Sequence, residues 1–231
     1  MKRNQSGFTL IEIAIVLVII GLLLGGVLKG QELINGARVK SLAADFKNIP
    51  VFIYGYQDKF KSLPGDDPNA TGHVAGMNAT PGGTLLGNGT LNGTWDSVIR
   101  TDETVVFWQH VRLAELSTGL TTVPATITGL LDPYFPVNAL GGRLGIQGNL
   151  GTTDAPTPIA GIPGPYVICS ANIPGKFARQ LDITLDDGAT NTGSMRATAA
   201  PAGTTAVNTG QTAATLTPTN DDTLYTVCMG V

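Results

Sequence analysis

The stretch KRNQSGFTLIEIAIVLVIIG, residues 2–21, decides the architecture of this 231-residue chain. It opens an apolar run over residues 8–28 in which Glu12 is the single charged residue. About 20 apolar residues in a helix are enough to cross the roughly 30 Å hydrocarbon core of a membrane. Lys2 and Arg3 precede the run, and because positive charge favours the cytoplasmic side, the residues after the run are expected on the opposite side.

Gly7 stands between the short basic leader and the apolar run. A secretory signal peptide would have a shorter apolar core with a small-residue cleavage site after it, whereas cleavage at Gly7 would leave the apolar segment on the chain. The order Gly7, Phe8, then Thr-Leu-Ile-Glu ending at Glu12, resembles the processing motif of type IV prepilins and type II secretion pseudopilins. The resemblance implies a membrane peptidase that cuts between Gly7 and Phe8 and methylates the new amino group of Phe8.

Glu12 is the residue for which the sequence makes the strongest functional prediction. A carboxylate within a membrane span is costly unless it is paired or faces protein, and such residues are functional by default. After cleavage, the α-ammonium group of Phe8 could pair with Glu12 of the same helix or of a neighbouring helix in a filament. The alternative is a glutamate near the helix end that snorkels to the lipid headgroups. We expect Glu12 to set the register of assembly.

Four glycines cluster at positions 21, 25, 26 and 30 of the predicted membrane helix. Each glycine costs about 1 kcal/mol of helix propensity relative to alanine, which favours local loosening when the helix leaves the bilayer. Small residues also allow helices to pack closely against one another. The sequence does not separate these two roles.

Beyond the span, a seam of apolar residues at alternating spacings of four and three predicts an amphipathic continuation of the same helix, formed by Leu42, Phe46, Ile49, Ile53, Tyr56 and Phe60. Pro64 and Gly65 are expected to stop this helix. The predicted organisation is a cytoplasmic leader (1–7), a membrane and filament-core helix (8–28), a distal amphipathic half (29–62) and an exported globular head (63–231).

The head is predicted to be α+β and pilin-like, with the long helix packed on a small antiparallel sheet, extra head helices and long loops. Helices are predicted over residues 101–116 and 175–186 from their apolar spacing and terminal glycines. Strands are predicted over residues 164–171 and 223–229, which are rich in β-branched and aromatic residues. Residues 190–220 are rich in Ala, Thr, Gly and Pro, which predicts an exposed and poorly ordered excursion.

The two cysteines, Cys169 and Cys228, fall one in each predicted strand. An even number of cysteines in an exported head favours a disulfide. Two separate buried thiols are the alternative. Pairing of the two strands would bring Cys169 and Cys228 together and close a large C-terminal loop.

An oxygen-rich loop follows the long helix and contains weak candidates for calcium ligands, namely Asp66, Asp67, Asn88, Asn92 and Asp96. Calcium takes six to eight hard oxygen ligands. The segment GNGTLNG, residues 87–93, resembles a degenerate form of the calcium loops of some pilin relatives, but no acidic residue lies between Asp67 and Asp96. An ordinary turn-forming loop is the alternative, and no other cofactor or metal is predicted.

The composition gives little support for an enzyme or a nucleic-acid-binding protein. With 13% charged residues and a net charge of −3, the chain lacks the basic field that nucleic-acid binding requires. His73 and His110 are the only histidines, and neither has a second His or Cys at metal-ligand spacing. No catalytic nucleophile or phosphate-binding motif is present, and the adjacent acids Asp186 and Asp187 are typical of a solvated turn. The chain is therefore predicted to be the substrate of an enzyme rather than an enzyme.

These observations predict a structural subunit of a type IV pilus or related filament, a helical homopolymer held together by its N-terminal helices. The resemblance implies prepilin peptidase, an inner-membrane assembly platform and an assembly ATPase as partners. It also implies a single-pass protein of the bacterial inner membrane before assembly and an extracellular or periplasmic filament afterwards. One alternative is a pseudopilin of a type II secretion system. Another is a membrane-tethered adhesin or lectin-like binding module.

Overall fold

The computed structural model describes residues 10–80, 86–129, 131–199 and 210–231. The helices are α1 (Leu10–Phe60), α2 (Ala70–His73), α3 (Glu103–Leu113) and α4 (Gly175–Leu185), and the strands are β1 (Leu144–Gly148), β2 (Tyr166–Pro174), β3 (Met195–Ala199) and β4 (Leu224–Gly230), with a short 3₁₀ turn at Pro218–Asn220. The chain forms two compact units, the first ending at Arg38 and the second beginning at Val39. The architecture is α+β and pilin-like, as predicted.

The second unit begins with the C-terminal part of α1, whose apolar seam is buried. The buried residues are Val39, Leu42, Ala43, Phe46, Ile49, Ile53 and Tyr56. Their spacing of three and four places them on one face of the helix, so the predicted amphipathic continuation is confirmed. Phe60 is half-buried, and its ring lies 4.7 Å from that of Tyr56 between centroids.

The sheet has four antiparallel strands in the order β1-β2-β4-β3. Its two central strands, β2 and β4, are the two that the sequence predicted. The other two strands were not predicted. In β1, the glycine at position 145 lets the backbone of Trp95 approach the strand closely, because a Cβ atom there would lie 2.1 Å from the carbonyl oxygen of Trp95.

The prediction of an exposed, poorly ordered excursion over residues 190–220 is wrong for part of that range. Strand β3 lies within it and pairs along its length with β4. Leu216 is buried with the main core. Pairing with a neighbouring strand stabilises this segment despite its weak local β-propensity. Residues 200–209 lie outside the described part of the chain.

The core of the second unit joins the seam of α1 to α3, α4 and the sheet. Phe46 of α1, Trp108 of α3, Ile146 of β1 and Phe177 of α4 belong to one buried cluster. The predicted helices over 101–116 and 175–186 are confirmed as α3 and α4 with slightly shorter bounds. A second, smaller cluster surrounds the two cysteines.

Candidate processing and assembly site

The predicted processing residues Gly7 and Phe8 lie outside the residues that the structure describes. The described part of the candidate site is the helix that follows them. Glu12 lies in the first described turn of α1 and is exposed. A carboxylate in the first turn of a helix interacts favourably with the positive end of the helix dipole.

The surface of α1 in the first unit is apolar and exposed. From Leu10 to Ile34, every large aliphatic side chain is at least 46% exposed, and Leu10 reaches 92%. By length and composition, α1 could cross a membrane. A helix that is apolar on all sides is stable when lipid or other apolar helices surround it.

The glycines of the first unit have open space around them. A Cβ atom added at position 21, 25, 26, 30 or 36 would meet nothing within 4 Å among the described residues. Packing within the chain therefore does not require glycine at these positions.

An exposed ion pair between Lys29 and Glu32, 2.7 Å apart, adds little stability because both side chains are solvated.

The two cysteines of the head are joined by a disulfide. Cys169 in β2 lies directly opposite Cys228 in β4, and their Cα atoms are 4.1 Å apart. Both residues are fully buried beside Trp95 and Val167. The disulfide ties the C-terminal strand to the centre of the sheet.

Asp66, the first of the predicted calcium candidates, binds backbone N–H groups of its own loop. Its carboxylate accepts hydrogen bonds from Gly87 at 2.5 Å, from Gly89 at 2.6 Å and from Asn88 at 3.3 Å. Successive N–H groups that converge in this way form a concave anion-binding nest. The Asn88 side chain accepts a hydrogen bond from the N–H of Thr90, within the same turn. Asp66 thus holds the glycine-rich loop against the end of α1.

Asp67 connects α1 to the short helix α2. Its buried carboxylate accepts hydrogen bonds from the Tyr56 hydroxyl and from Nδ1 of His73, both at 2.7 Å, and from the N–H of Asn69 at 2.9 Å. Burial alone would raise the pKa of Asp67, but the hydrogen bonds from His73 and Tyr56 outweigh it and lower the pKa. This polar connection was not predicted, because it depends on residues that meet only in the folded chain.

Asn92 and Asp96, the last two calcium candidates, have different partners from those of Asp66 and Asp67. The N–H of Asn92 donates to the Glu103 carboxylate at 2.7 Å. Asp96 is buried beside Arg143, and burial raises its pKa while the charge of Arg143 opposes the rise. Asp66, Asp67 and Asp96 do not converge on one point in the described chain, so calcium binding by this loop stays a prediction.

Glu103 is a buried acid that sequence analysis did not single out. It is fully buried at the start of α3, and burial, together with the nearby charge of Asp66, raises its pKa to about 8. Its burial follows from the loop that folds over it, since the N–H of Asn92 in that loop binds its carboxylate. Only Asp182, Asp186 and Asp187 form a group of three converging carboxylates within the described ranges.

The comparison with known families concerns the N-terminus. Residues 2–28 match a family model described as the prokaryotic N-terminal methylation motif. This is the prepilin motif of type IV pilins and pseudopilins, so the chain carries a signal for processing by prepilin peptidase and for filament assembly. The chain thus combines this motif with an α+β, pilin-like architecture. No curated protein matches the chain, and no solved structure does.

Proposed function

We propose that this chain is a structural subunit of a type IV pilus or a related filament. The observation that carries the proposal is the exposed apolar surface of α1 from Leu10 to Ile34, which overlaps the match of residues 2–28 to the prepilin motif. Outside the bilayer this surface would face water, and its burial against other copies contributes roughly 25 cal/mol per Å², which favours packing of the helices in a filament. The function of such a subunit is structural rather than enzymatic.

Processing comes first in the proposed mechanism. Prepilin peptidase cuts between Gly7 and Phe8 and methylates Phe8, which leaves the apolar helix as the N-terminus of the mature subunit. The helices then leave the bilayer and bury one another in a filament core. The open space around the glycines of the first unit supports this step, because small residues allow neighbouring helices to approach closely.

Glu12 sets the register in the proposed filament. An incoming subunit that brings its Glu12 level with the Phe8 amine of a neighbour pairs the two charges. A subunit displaced by one helical turn, about 5.4 Å, separates them. Because an uncompensated charge is costly in an apolar core, the correct register is favoured.

The proposed partners are further copies of the same chain, prepilin peptidase, an inner-membrane assembly platform and an assembly ATPase. The precursor would lie in the bacterial inner membrane with its head exported, and the filament would be extracellular. The same motif also supports a pseudopilin of a type II secretion system, for which the filament would be periplasmic.

Analysis of filaments sheared from cells that express the chain tests the proposal. Mass spectrometry is expected to find the chain in the sheared fraction with methylated Phe8 as its N-terminal residue. In the matched variant Gly7→Val, the leader is expected to stay attached and the chain to remain in the membrane fraction. A chain that is processed at Phe8 but found only in periplasmic filaments identifies a pseudopilin. A chain found only as a membrane-bound monomer, as for a tethered adhesin or lectin-like module, contradicts the proposal.

A further inference from the structure

Three carboxylates meet at the C-terminal end of α4. Asp182 lies in the last turn of the helix, and Asp186 and Asp187 directly follow its last residue. One oxygen atom of each carboxylate lies within 4.8 Å of the others. The C-terminal end of a helix carries partial negative charge, and the last turn of α4 contains no basic residue to balance it. The arrangement brings negative charges together where the helix already disfavours them.

Asp182 is the buried member of this group. It is 1% exposed, and neither of its carboxylate oxygens accepts a hydrogen bond of ordinary geometry from the described residues. Burial raises the pKa of Asp182 to about 6, and the charges of Asp186 and Asp187 contribute to the rise. Hydrogen bonding of poorer geometry from the N–H groups of Gly188 and Ala189 offsets part of the rise. A buried carboxylate that lacks a hydrogen bond of ordinary geometry is stabilised in its charged form by a nearby cation.

Asp186 and Asp187 are held in place by the loop that follows α4. Asp186 accepts hydrogen bonds from the Ser194 hydroxyl at 3.0 Å and from the N–H of Met195 at 2.9 Å. Asp187 accepts one from the Thr192 hydroxyl and one from the N–H of Ala189, both at 2.8 Å. A carboxylate has about four acceptor positions, so these bonds fix the two side chains and leave lone pairs for a further ligand.

Arg196, the basic side chain whose charge acts on Asp187, is engaged elsewhere. Arg196 donates to the carbonyl oxygens of Ala160 at 2.8 Å and Gly193 at 3.3 Å. Its charge contributes to the lowered pKa of Asp187, after the larger effect of the hydrogen bond from Thr192. Within the described ranges, no ion pair joins a basic side chain to any of the three carboxylates.

We propose that Asp182, Asp186 and Asp187 bind one calcium ion. The donors are all hard oxygen atoms, which suit calcium, whereas zinc sites are normally built with nitrogen or sulfur ligands. An irregular loop suits the flexible coordination of calcium better than the regular octahedron of magnesium. Calcium sites of extracellular modules have dissociation constants of about 10⁻⁴–10⁻³ M, and we expect this range here. The bound ion would fix the end of α4 against the start of β3.

Calcium binding is measured on the full-length protein in detergent after treatment with EDTA. Equilibrium dialysis against radioactive calcium is expected to give one ion per chain. At ten times the dissociation constant, calcium is expected to raise the unfolding midpoint by about 3–6 °C. Magnesium chloride at equal ionic strength is expected to raise it less. Absence of calcium uptake at about 5 mM free calcium overturns the proposal.

Single variants test which residues form the proposed calcium site. Asp182→Asn keeps the side-chain shape, removes the buried charge and is expected to weaken calcium binding at least tenfold while the head stays folded in EDTA. Asp187→Asn, at an exposed position, is expected to weaken binding without threatening the fold. Asp222→Asn, whose side chain is 96% exposed, is the matched control and is expected to bind as the wild type does. Unchanged binding in Asp182→Asn overturns the proposal. Loss of binding only in Asp66→Asn assigns calcium to the loop after α1 and also overturns it.

Discussion

The two parts of helix α1 differ in what surrounds their apolar residues. Before Arg38, Leu22 is 73% exposed, although it lies in the most apolar segment of the chain. After Val39, Phe46 is fully buried in the head. From Leu10 to Leu28 the first part is apolar on every side except at Glu12, whereas the second part is apolar on one face only. The fold of a single chain therefore uses the apolar residues of the second part and leaves those of the first part for another environment.

The glycines of α1 show the same contrast. A Cβ atom at Gly55 would lie 3.1 Å from the side chain of Leu116, so the head packs against this position. At Gly21 and Gly25 the added atom would touch nothing among the described residues. Close packing in the second part is intramolecular. In the first part, small residues have a packing role only if another helix approaches.

Matched truncations in the two parts of α1 give the largest expected difference in stability. Phe46→Ala is expected to lower the free energy of unfolding of the head by about 3–5 kcal/mol, because it creates a cavity in the core. Leu22→Ala is expected to change it by less than about 0.5 kcal/mol, because its side chain has no core contact. Urea unfolding of the full-length protein in detergent measures both. Fluorescence reports the head, since the two tryptophans, Trp95 and Trp108, are buried there. Equal losses in the two variants would remove the distinction between the two parts of α1.

The disulfide gives the next largest effect and acts only on the head. The link between Cys169 and Cys228 spans 59 positions, and closure of a loop of this size stabilises the folded state by up to about 4 kcal/mol. Cys169→Ser is expected to lose about 2–4 kcal/mol. As a control, thiol titration of the native protein before reduction is expected to find no free thiols. Two titratable thiols in the non-reduced protein would exclude the disulfide.

The buried acid Glu103 makes head stability depend on pH. Burial raises its pKa to about 8, so the folded state holds the proton more tightly than the unfolded state does. The stabilisation is complete below the unfolded pKa and is lost as the pH rises towards 8. The free energy of unfolding is expected to fall by on the order of 2 kcal/mol between about pH 5 and 8. Glu103→Gln should flatten this dependence, whereas the exposed control Glu32→Gln should not. Identical pH profiles in wild type and Glu103→Gln would exclude the effect.

Much of this fold could be predicted from local sequence patterns. The seam of α1 has regular spacing, and the strands that contain Cys169 and Cys228 are rich in β-branched residues. Strand β1 was missed because its sequence LGIQG contains two glycines, which locally favour a turn. Strand β3 was missed because it lies in a stretch of Ala, Thr and Gly and depends on pairing with β4.

The candidate sites also differ in how well they can be predicted from the sequence. The predicted processing and assembly residues, Gly7, Phe8 and Glu12, lie within six consecutive residues, so the sequence alone is enough to recognise the motif. Burial of Glu103 and Asp182 results from packing between distant segments, which no local pattern reports. The four-residue spacing of Asp182 and Asp186 places them on one side of a helix and is the only local signal for their convergence.

In the proposed filament, the exposed apolar part of α1 forms the core and the register depends on Glu12. The most direct measurement is the ratio of a Glu12→Leu variant in sheared filaments to the same variant in the membrane pool. The variant is expected to be inserted and processed, since its helix is more apolar, but to be strongly depleted from filaments. Glu12→Gln, which keeps the shape but not the charge, is expected to be intermediate. If Glu12→Leu with a processed Phe8 N-terminus enters filaments as efficiently as the wild type, pairing of Glu12 with the neighbouring amine does not direct assembly.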